Sequence, residues 1–321
     1  MFLGTASAVP RPGLRNVSSM LLQFSSGSLA MIDCGEGTQH QLMRSTVKMG
    51  NLDNILLTHL HGDHCYGFFG LVHTLNMGGR TLPLNVYGPT GVEELVRSVL
   101  RLTGGWDAFE LRITEFAPEK AHSFDLRSSS DEFLASVHAC PMVHRLPAFG
   151  YVFREPDQPR TLDGAKAKSL GVSGADLGLL KSGKDVVLSN GNRVRSSDVT
   201  IAGPLSRSIA ILQDTSDASS ALAHLENCDL MVHEATYESA MEKQAIMYGH
   251  STTTMAGDLA KRTNTKNLVL THFSSRYGPN NEIDYLREEA QAIATKTRVV
   301  LGADFMEFKG HHFEHIGSVL A

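Results

Sequence analysis

The chain has 321 residues, 42% of them apolar and 20% charged, which describes an ordinary globular protein with a large core and excludes a disordered one. Its four cysteines (Cys34, Cys65, Cys140, Cys228) form no CxxC pair, which argues against a disulfide scaffold or a cysteine-based zinc knot. No signal peptide or run of roughly 18 apolar residues is found, so an intracellular site is expected, and the net charge of −5 leaves nucleic-acid binding to a local patch.

In chain order, SMLLQF and LAMIDCG read as neighbouring strands joined by the SSGS turn. DNILLTH predicts a buried strand running into a loop. DHCYGFFGLVHTLNM follows with a helical apolar rhythm, Asp63 standing where it can cap the start. LPLNVYGP predicts another strand, and TGVEELVRSVLRLTG a helix closed by Gly104 and Gly105. Residues 154–208 break this rhythm, being rich in Gly, Ser, Lys and Arg, with nine basic against six acidic side chains. On charge alone they read as a solvated surface insertion. Beyond them SIAILQD, DLMVHEAT, NLVLTHF and TRVVLGAD are short strands ending in polar residues, with helices such as TTTMAGDLAKRT between. The alternation predicts a layered α/β fold.

The sharpest chemical signal is THLHGDH. His59 and His61 are two apart in an extended segment, so their side chains can share one side. Asp63 and His64, where a helix begins, add a carboxylate and a third imidazole. That nitrogen and oxygen donor set suits Zn²⁺ and similar divalent ions, and these four residues are expected to bind metal.

The THLHGDH block resembles the signature of the metallo-β-lactamase superfamily. The resemblance implies a four-layer αββα sandwich with a two-metal site at one edge of the sheets. It places one metal on His59, His61 and His144, a second on Asp63, His64 and His272, and Asp214 bridging both. More specific blocks are FLGTASAVP…RN, DCGEGTQHQL, HRLPAFGY, HEAT (233–236), GHST (249–252) and LTHFSSRY. Together, from about Phe2 to Phe308, they resemble short-form ribonuclease Z. The implied protein is a single domain over residues 1–321. It is an endoribonuclease that removes the 3′ trailer from precursor tRNA, with two Zn²⁺ per subunit, working as a homodimer. Residues 154–208 would be a flexible tRNA-binding arm serving the partner's active site, with Lys181 and Lys184 as candidate contacts. Arg15 and Asn16 match the end of a substrate-facing loop, and His250, held by Glu234, matches the catalytic acid. Two departures from the family pattern stand out. Gly13 occupies a place where lysine is usual, and the arm has Gly174–Ala175 and Leu179 in place of a Gly-Pro turn and a lysine.

The chemistry fits such an enzyme. Two metals roughly 3.5–4 Å apart can hold a bridging hydroxide for attack on phosphorus and also bind the phosphate oxygens. Asp63 would orient that hydroxide or take its proton, and a histidine supplies an acid for the leaving 3′-oxygen near neutral pH. His233 is expected to support the site from behind or to pack, rather than to react. His40, His73, His122, His138 and His224 lack ligand spacing, the His311, His312 and His315 cluster reads as surface, and Trp106 as loop. Two rival readings are a small-molecule metal hydrolase (cyclic phosphodiester, lactone or thioester) and a silent RNA-binding scaffold.

Overall fold

The apolar runs of the sequence fold into two mixed β-sheets, each covered by helices on its outer face. The computed structural model describes residues 1–105, 108–156, 160–201, 206–278, 283–309 and 314–318. Trp106, His311, His312 and the side chain of His315 lie outside that description. The first sheet pairs β1 (Phe2–Gly4), β2 (Ser19–Gln23), β3 (Leu29–Ile32), β4 (Leu52–Leu56), β5 (Leu84–Pro89) and β6 (Leu111–Phe116) in that order. It is antiparallel from β1 to β3 and parallel from β3 to β6. The period of two along a strand sets its faces: in β3, Met31 belongs to one core with Phe68, Leu71 and Val96 of the helices Gly67–Met77 and Val92–Leu102. Ala30 and Ile32 point the other way, into the core shared with the second sheet.

The second sheet begins with β7 (His122–Arg127), β8 (Phe133–Met142) and β9 (Ala148–Arg154). The chain then forms a separate compact unit, Glu155–Arg207, before rejoining the sheet. That unit holds β10 (Thr161–Leu162), β11 (Val186–Val187), β12 (Arg193–Val194) and β13 (Thr200–Ile201), with helices Gly164–Ser169, Ala175–Lys181 and Ser196–Val199. They enclose a small core of Ala167, Val172, Leu180, Val186, Val194 and Val199. Its elements run from two to seven residues, too short for the apolar periodicity to register in sequence. The sheet resumes with β14 (Ser208–Leu212), β15 (Leu230–Glu234), β16 (Asn267–Thr271) and β17 (Arg298–Leu301), in the order β17-β16-β15-β14-β9-β8-β7. Ser208 of β14 is the register partner of Arg154 of β9, so the 155–207 unit leaves and re-enters between adjacent antiparallel strands. A hairpin of β18 (Met306–Lys309) and β19 (Glu314–Ser318) ends the described chain.

The outer face of this sheet buries Val152, Leu212, Met231 and Leu270 against Ala256, Leu259, Leu286 and Ala290 of the helices Thr253–Arg262 and Asp284–Ile293. Its inner face sets Val137, Tyr151, Val232 and Val269 against the first sheet. The layers are therefore helix, sheet, sheet, helix, the α/β sandwich expected. Strands β6 and β7 escape a sequence reading because LRITEF and HSFDLR are half exposed, which breaks the apolar run with charges.

Asp63 is a correction. His61 occupies the cap position of the short helix Gly62–Cys65, and Asp63 lies within its first turn. Its Oδ2 accepts the N–H of Ala8 at 2.8 Å, so the carboxylate serves another loop instead of its own helix. Among the described residues, no helix is long and apolar enough to cross a membrane.

Candidate metal centre

Five strand ends of the two sheets deliver the site. His59, His61, Asp63 and His64 follow β4, His144 follows β8 and Asp214 follows β14. Glu234 ends β15, and His272 follows β16 in a left-handed conformation at φ 59°. The carboxyl ends of parallel strands are where α/β sheets place ligands, because there the backbone stops pairing and side chains converge on open space.

The donors form two facing groups. His59 Nε2 lies 2.9 Å from His61 Nδ1, which is 3.1 Å from His144 Nε2. In the other group His64 Nε2 is 3.1 Å from His272 Nε2, with Asp63 Oδ2 at 3.6 and 3.5 Å from those two nitrogens. Asp214 stands between the groups. Its Oδ2 is 3.6 Å from His59 Nε2 and 3.7 Å from His144 Nε2, and its Oδ1 is 3.3 Å from both His64 Nε2 and His272 Nε2. The sequence reading thus assembled seven residues that the fold brings together in the same two groups.

A second ring of contacts aims four of the five imidazoles, and most of it was not read from sequence. Asp33, itself left-handed at φ 59° and buried, accepts His64 Nδ1–H at 2.7 Å, and also the N–H and hydroxyl of Thr58. The Thr58 hydroxyl is 3.1 Å from His59 Nδ1, and His144 Nδ1–H donates to the Gly249 carbonyl at 2.7 Å. Gly249 has φ 74°, and a Cβ there would come 2.8 Å from His144 Nδ1. His272 Nδ1 meets the Thr236 hydroxyl at 2.9 Å. A legible signal existed for Asp33, an acid directly after the apolar LAMI in the DCGEG turn. Gly67 lets that turn close on the metal loop, since a Cβ there would overlap the Gly35 carbonyl oxygen.

This arrangement fits a metal. Each Nδ1–H of His59, His64, His144 and His272 faces an acceptor, so each Nε2 carries a lone pair pointing inward. His64 and His272 then set lone pair against lone pair unless a cation or proton lies between. Among the described residues the buried Asp214 Oδ1 atom has no hydrogen-bond partner, an orphan that a bound cation would satisfy. Burial opposes a charged His64, yet Asp214, Asp33 and Asp63 outweigh it and hold its pKa well above the ordinary value. The same carboxylates attract a metal cation for the same reason.

Beside this nest, Glu234 is fully buried. Its Oε1 accepts the Thr215 N–H at 2.7 Å and His250 Nδ1–H at 3.0 Å, while Oε2 accepts the Thr236 hydroxyl. Burial disfavours charge on His250, but Glu234 and then Asp214 more than offset it and carry its pKa up to about 9. Asp214, His250 and His272 also converge closely enough to share an ion. The near atom of His250 is Nδ1, however, and binding an ion there would break its bond to Glu234.

The remaining candidates are placed differently. Arg15 turns into the protein: Nη1 donates to Thr5 Oγ1 and to the Gly302 carbonyl, both at 2.7 Å, and the guanidinium covers the Phe273 ring. Asn16 gives its side-chain amide to the Glu36 carbonyl. Lys181 and Lys184 are exposed on the separate 155–207 unit. His233 is buried with Nδ1–H on the Glu234 carbonyl, a packing position.

Fold and donor nest together define a metal-dependent hydrolase of the metallo-β-lactamase fold. Ribonuclease BN of Cronobacter sakazakii is 38% identical over 308 residues, 95% of this chain and 97% of that protein. Ribonuclease BN of Escherichia coli is 38% identical over 312 residues, 96% of this chain and 98% of that protein. The crystal structure of the short form of human tRNase Z superposes with a TM-score of 0.66 at 28% identity, covering 100% of this chain and 99% of the other. A family profile described as anti-Pycsar protein Apyc1 matches residues 1–117. The chain belongs to the ribonuclease BN family.

Proposed function

We propose that the chain is a zinc-dependent endoribonuclease that removes the 3′ trailer from precursor tRNA and leaves a 3′-hydroxyl on the tRNA. The observation that carries this reading is the geometry of one small region, two groups of donors joined by Asp214 beside a buried Glu234–His250 pair. His59, His61 and His144 would hold one ion, Asp63, His64 and His272 a second, with Asp214 shared. Two zinc ions bound there would activate water and neutralise the phosphate at neutral pH. Asp63, fixed at Oδ2 by the Ala8 N–H, has its other oxygen to orient the attacking water or take its proton. Glu234 fixes His250 by Nδ1, which leaves Nε2 to hand a proton to the departing 3′-oxygen.

The 155–207 unit would grip the body of the tRNA through Lys181, Lys184 and the exposed Lys166, Lys168 and Arg195 of the same unit. In a homodimer each unit would serve the partner's site, and the enzyme would act inside the cell. Arg15 and Asn16 would contribute by holding the loop of residues 5–16 in place. The HEAT and GHST segments and the basic excess of the inserted 154–208 segment speak against the rival small-molecule hydrolase.

The test uses a 3′-extended precursor tRNA with wild type, His61→Ala and His250→Ala, each with metal content measured. One cut near the end of the acceptor stem by wild type alone, with metal reduced in His61→Ala and retained in His250→Ala, is the expected result. A fully metal-loaded wild type that leaves the precursor intact refutes the reading.

A further inference from the structure

The loop of residues 5–16 lies against the metal centre, and a carboxylate outside the centre clamps both of its ends. Asp304 Oδ2 accepts the Asn16 backbone N–H at 2.6 Å and the Gln41 side-chain amide at 3.0 Å, and its Oδ1 accepts the Thr5 hydroxyl at 2.8 Å. The Asn16 carbonyl closes the same gap by accepting the N–H of Thr5 at 2.9 Å and of Ala6 at 2.8 Å. Between the clamped ends the chain passes through Ala8 at φ 65°, a left-handed conformation that a residue with a side chain adopts only where its surroundings enforce it. What that conformation achieves is the 2.8 Å bond from the Ala8 N–H to Asp63 Oδ2. The loop is tied a second time beside the centre: the Ser7 N–H donates to the Phe273 carbonyl at 3.0 Å, and the Phe273 N–H to the Thr5 carbonyl at 2.9 Å. Phe273 directly follows His272.

We propose that Asp304 is a positioning residue for the Asp63–His64–His272 group: by holding Thr5 and Asn16 together it sets the Ala8 N–H against Asp63 and the Thr5–Phe273 pairing beside His272. Asp304 touches none of those three residues in any bond described above and acts through the loop. Burial pushes its pKa up to about 6 against the pull of the Asn16 N–H, the Thr5 hydroxyl and Arg15. The fold thus keeps an unfavourably buried carboxylate where both loop ends reach it. The distinction from a general structural role is that the effect must be confined to one donor group. The His59–His61–His144 group takes its support from Thr58 and Gly249, outside the loop.

The test is a titration of metal-stripped full chain with Co²⁺, whose visible absorption reports its ligands, on wild type, Asp304→Ala, Asp304→Asn and Thr5→Val. Asp304→Ala should weaken one of two binding steps about tenfold or more and leave the other unchanged. Asp304→Asn keeps an acceptor oxygen and should recover most of the affinity, with Thr5→Val intermediate. In parallel, kcat for a small phosphodiester, bis(p-nitrophenyl) phosphate, should fall in Asp304→Ala at unchanged KM; this arm alone rests on the proposed function. A folded Asp304→Ala with wild-type Co²⁺ affinity and spectrum overturns the proposal, whatever its melting temperature. If that variant does not fold, unchanged Co²⁺ binding in both Asp304→Asn and Thr5→Val overturns it equally. A wild type that binds metal but cleaves neither tRNA nor phosphodiester defeats the functional reading, and the titration still decides the role of Asp304.

Discussion

Replacing Asp33 by Asn isolates what the contacts behind the imidazoles contribute. Asp33 already sits at φ 59°, a conformation that Asn tolerates as well as Asp, so the backbone should not move. The Thr58 N–H, 2.8 Å from Oδ1, demands an acceptor there and fixes the orientation of the new amide. Its NH₂ group then takes the place of Oδ2, 2.7 Å from His64 Nδ1. That nitrogen must now accept, so the ring proton moves to Nε2, the atom that faces Asp214 and His272. A charge-assisted hydrogen bond contributes about 1.5–3 kcal/mol. At about 1.4 kcal/mol per decade, its loss weakens metal binding by about 10–100-fold, the range typical of such outer contacts. The assay is equilibrium dialysis against a graded chelator, with metal per chain read by mass spectrometry and folding checked by circular dichroism. Occupancy should split, one equivalent lost early and one retained. A folded Asp33→Asn that keeps both equivalents at wild-type chelator concentration refutes the argument that Asp33 sets the His64 tautomer.

Glu234→Gln should lower kcat by about 100-fold or more with metal content unchanged, because it removes the charge that holds His250 for proton transfer; a parallel loss of metal would make Glu234 a support of the centre instead. The pKa of Asp304, raised by burial from the ordinary 3.8 to about 6, means the native state binds this proton more tightly than the unfolded chain. Its penalty is absent below about pH 4 and complete above about pH 6, so stability falls across that window by about 3 kcal/mol. Urea unfolding of wild type minus Asp304→Asn should show that slope, and a difference that stays flat from pH 4 to 7 contradicts it. Because Arg154 and Ser208 are register partners, residues 155–207 can be replaced by a two-residue Asn-Gly turn joining β9 to β14. The shortened enzyme should keep its activity on a small phosphodiester and lose both precursor cleavage and the steep salt dependence of tRNA binding. Retained precursor cleavage would remove the tRNA-gripping role from that unit.

Much of the centre was legible because it is local. His59, His61, Asp63 and His64 fall within six positions at the end of one strand, where spacing alone places side chains together. The strands that carry His144, Asp214 and His272 were visible only in part. NLVLTHF and SIAILQD are buried on both faces and read as continuous apolar runs, whereas no strand is predicted over β8 or β9. The late ligands were assigned through resemblance, since nothing in the spacing of His64 and His272, 208 residues apart, says that they meet at 3.1 Å.

The sequence by itself determined the donor types, the α/β alternation and the basic excess of the 154–208 segment, because each is a property of composition or of neighbours along one chain. Tertiary structure alone decided which way a side chain turns once strands of different sequence position become neighbours. It drew Asp63 away from its own helix to Ala8, folded Arg15 inward onto Thr5 and Phe273, and set Asp33, Thr236 and Gly249 behind the imidazoles. Those outcomes depend on sheet order and register, and a buried polar group takes whatever partner the packing brings within hydrogen-bonding reach.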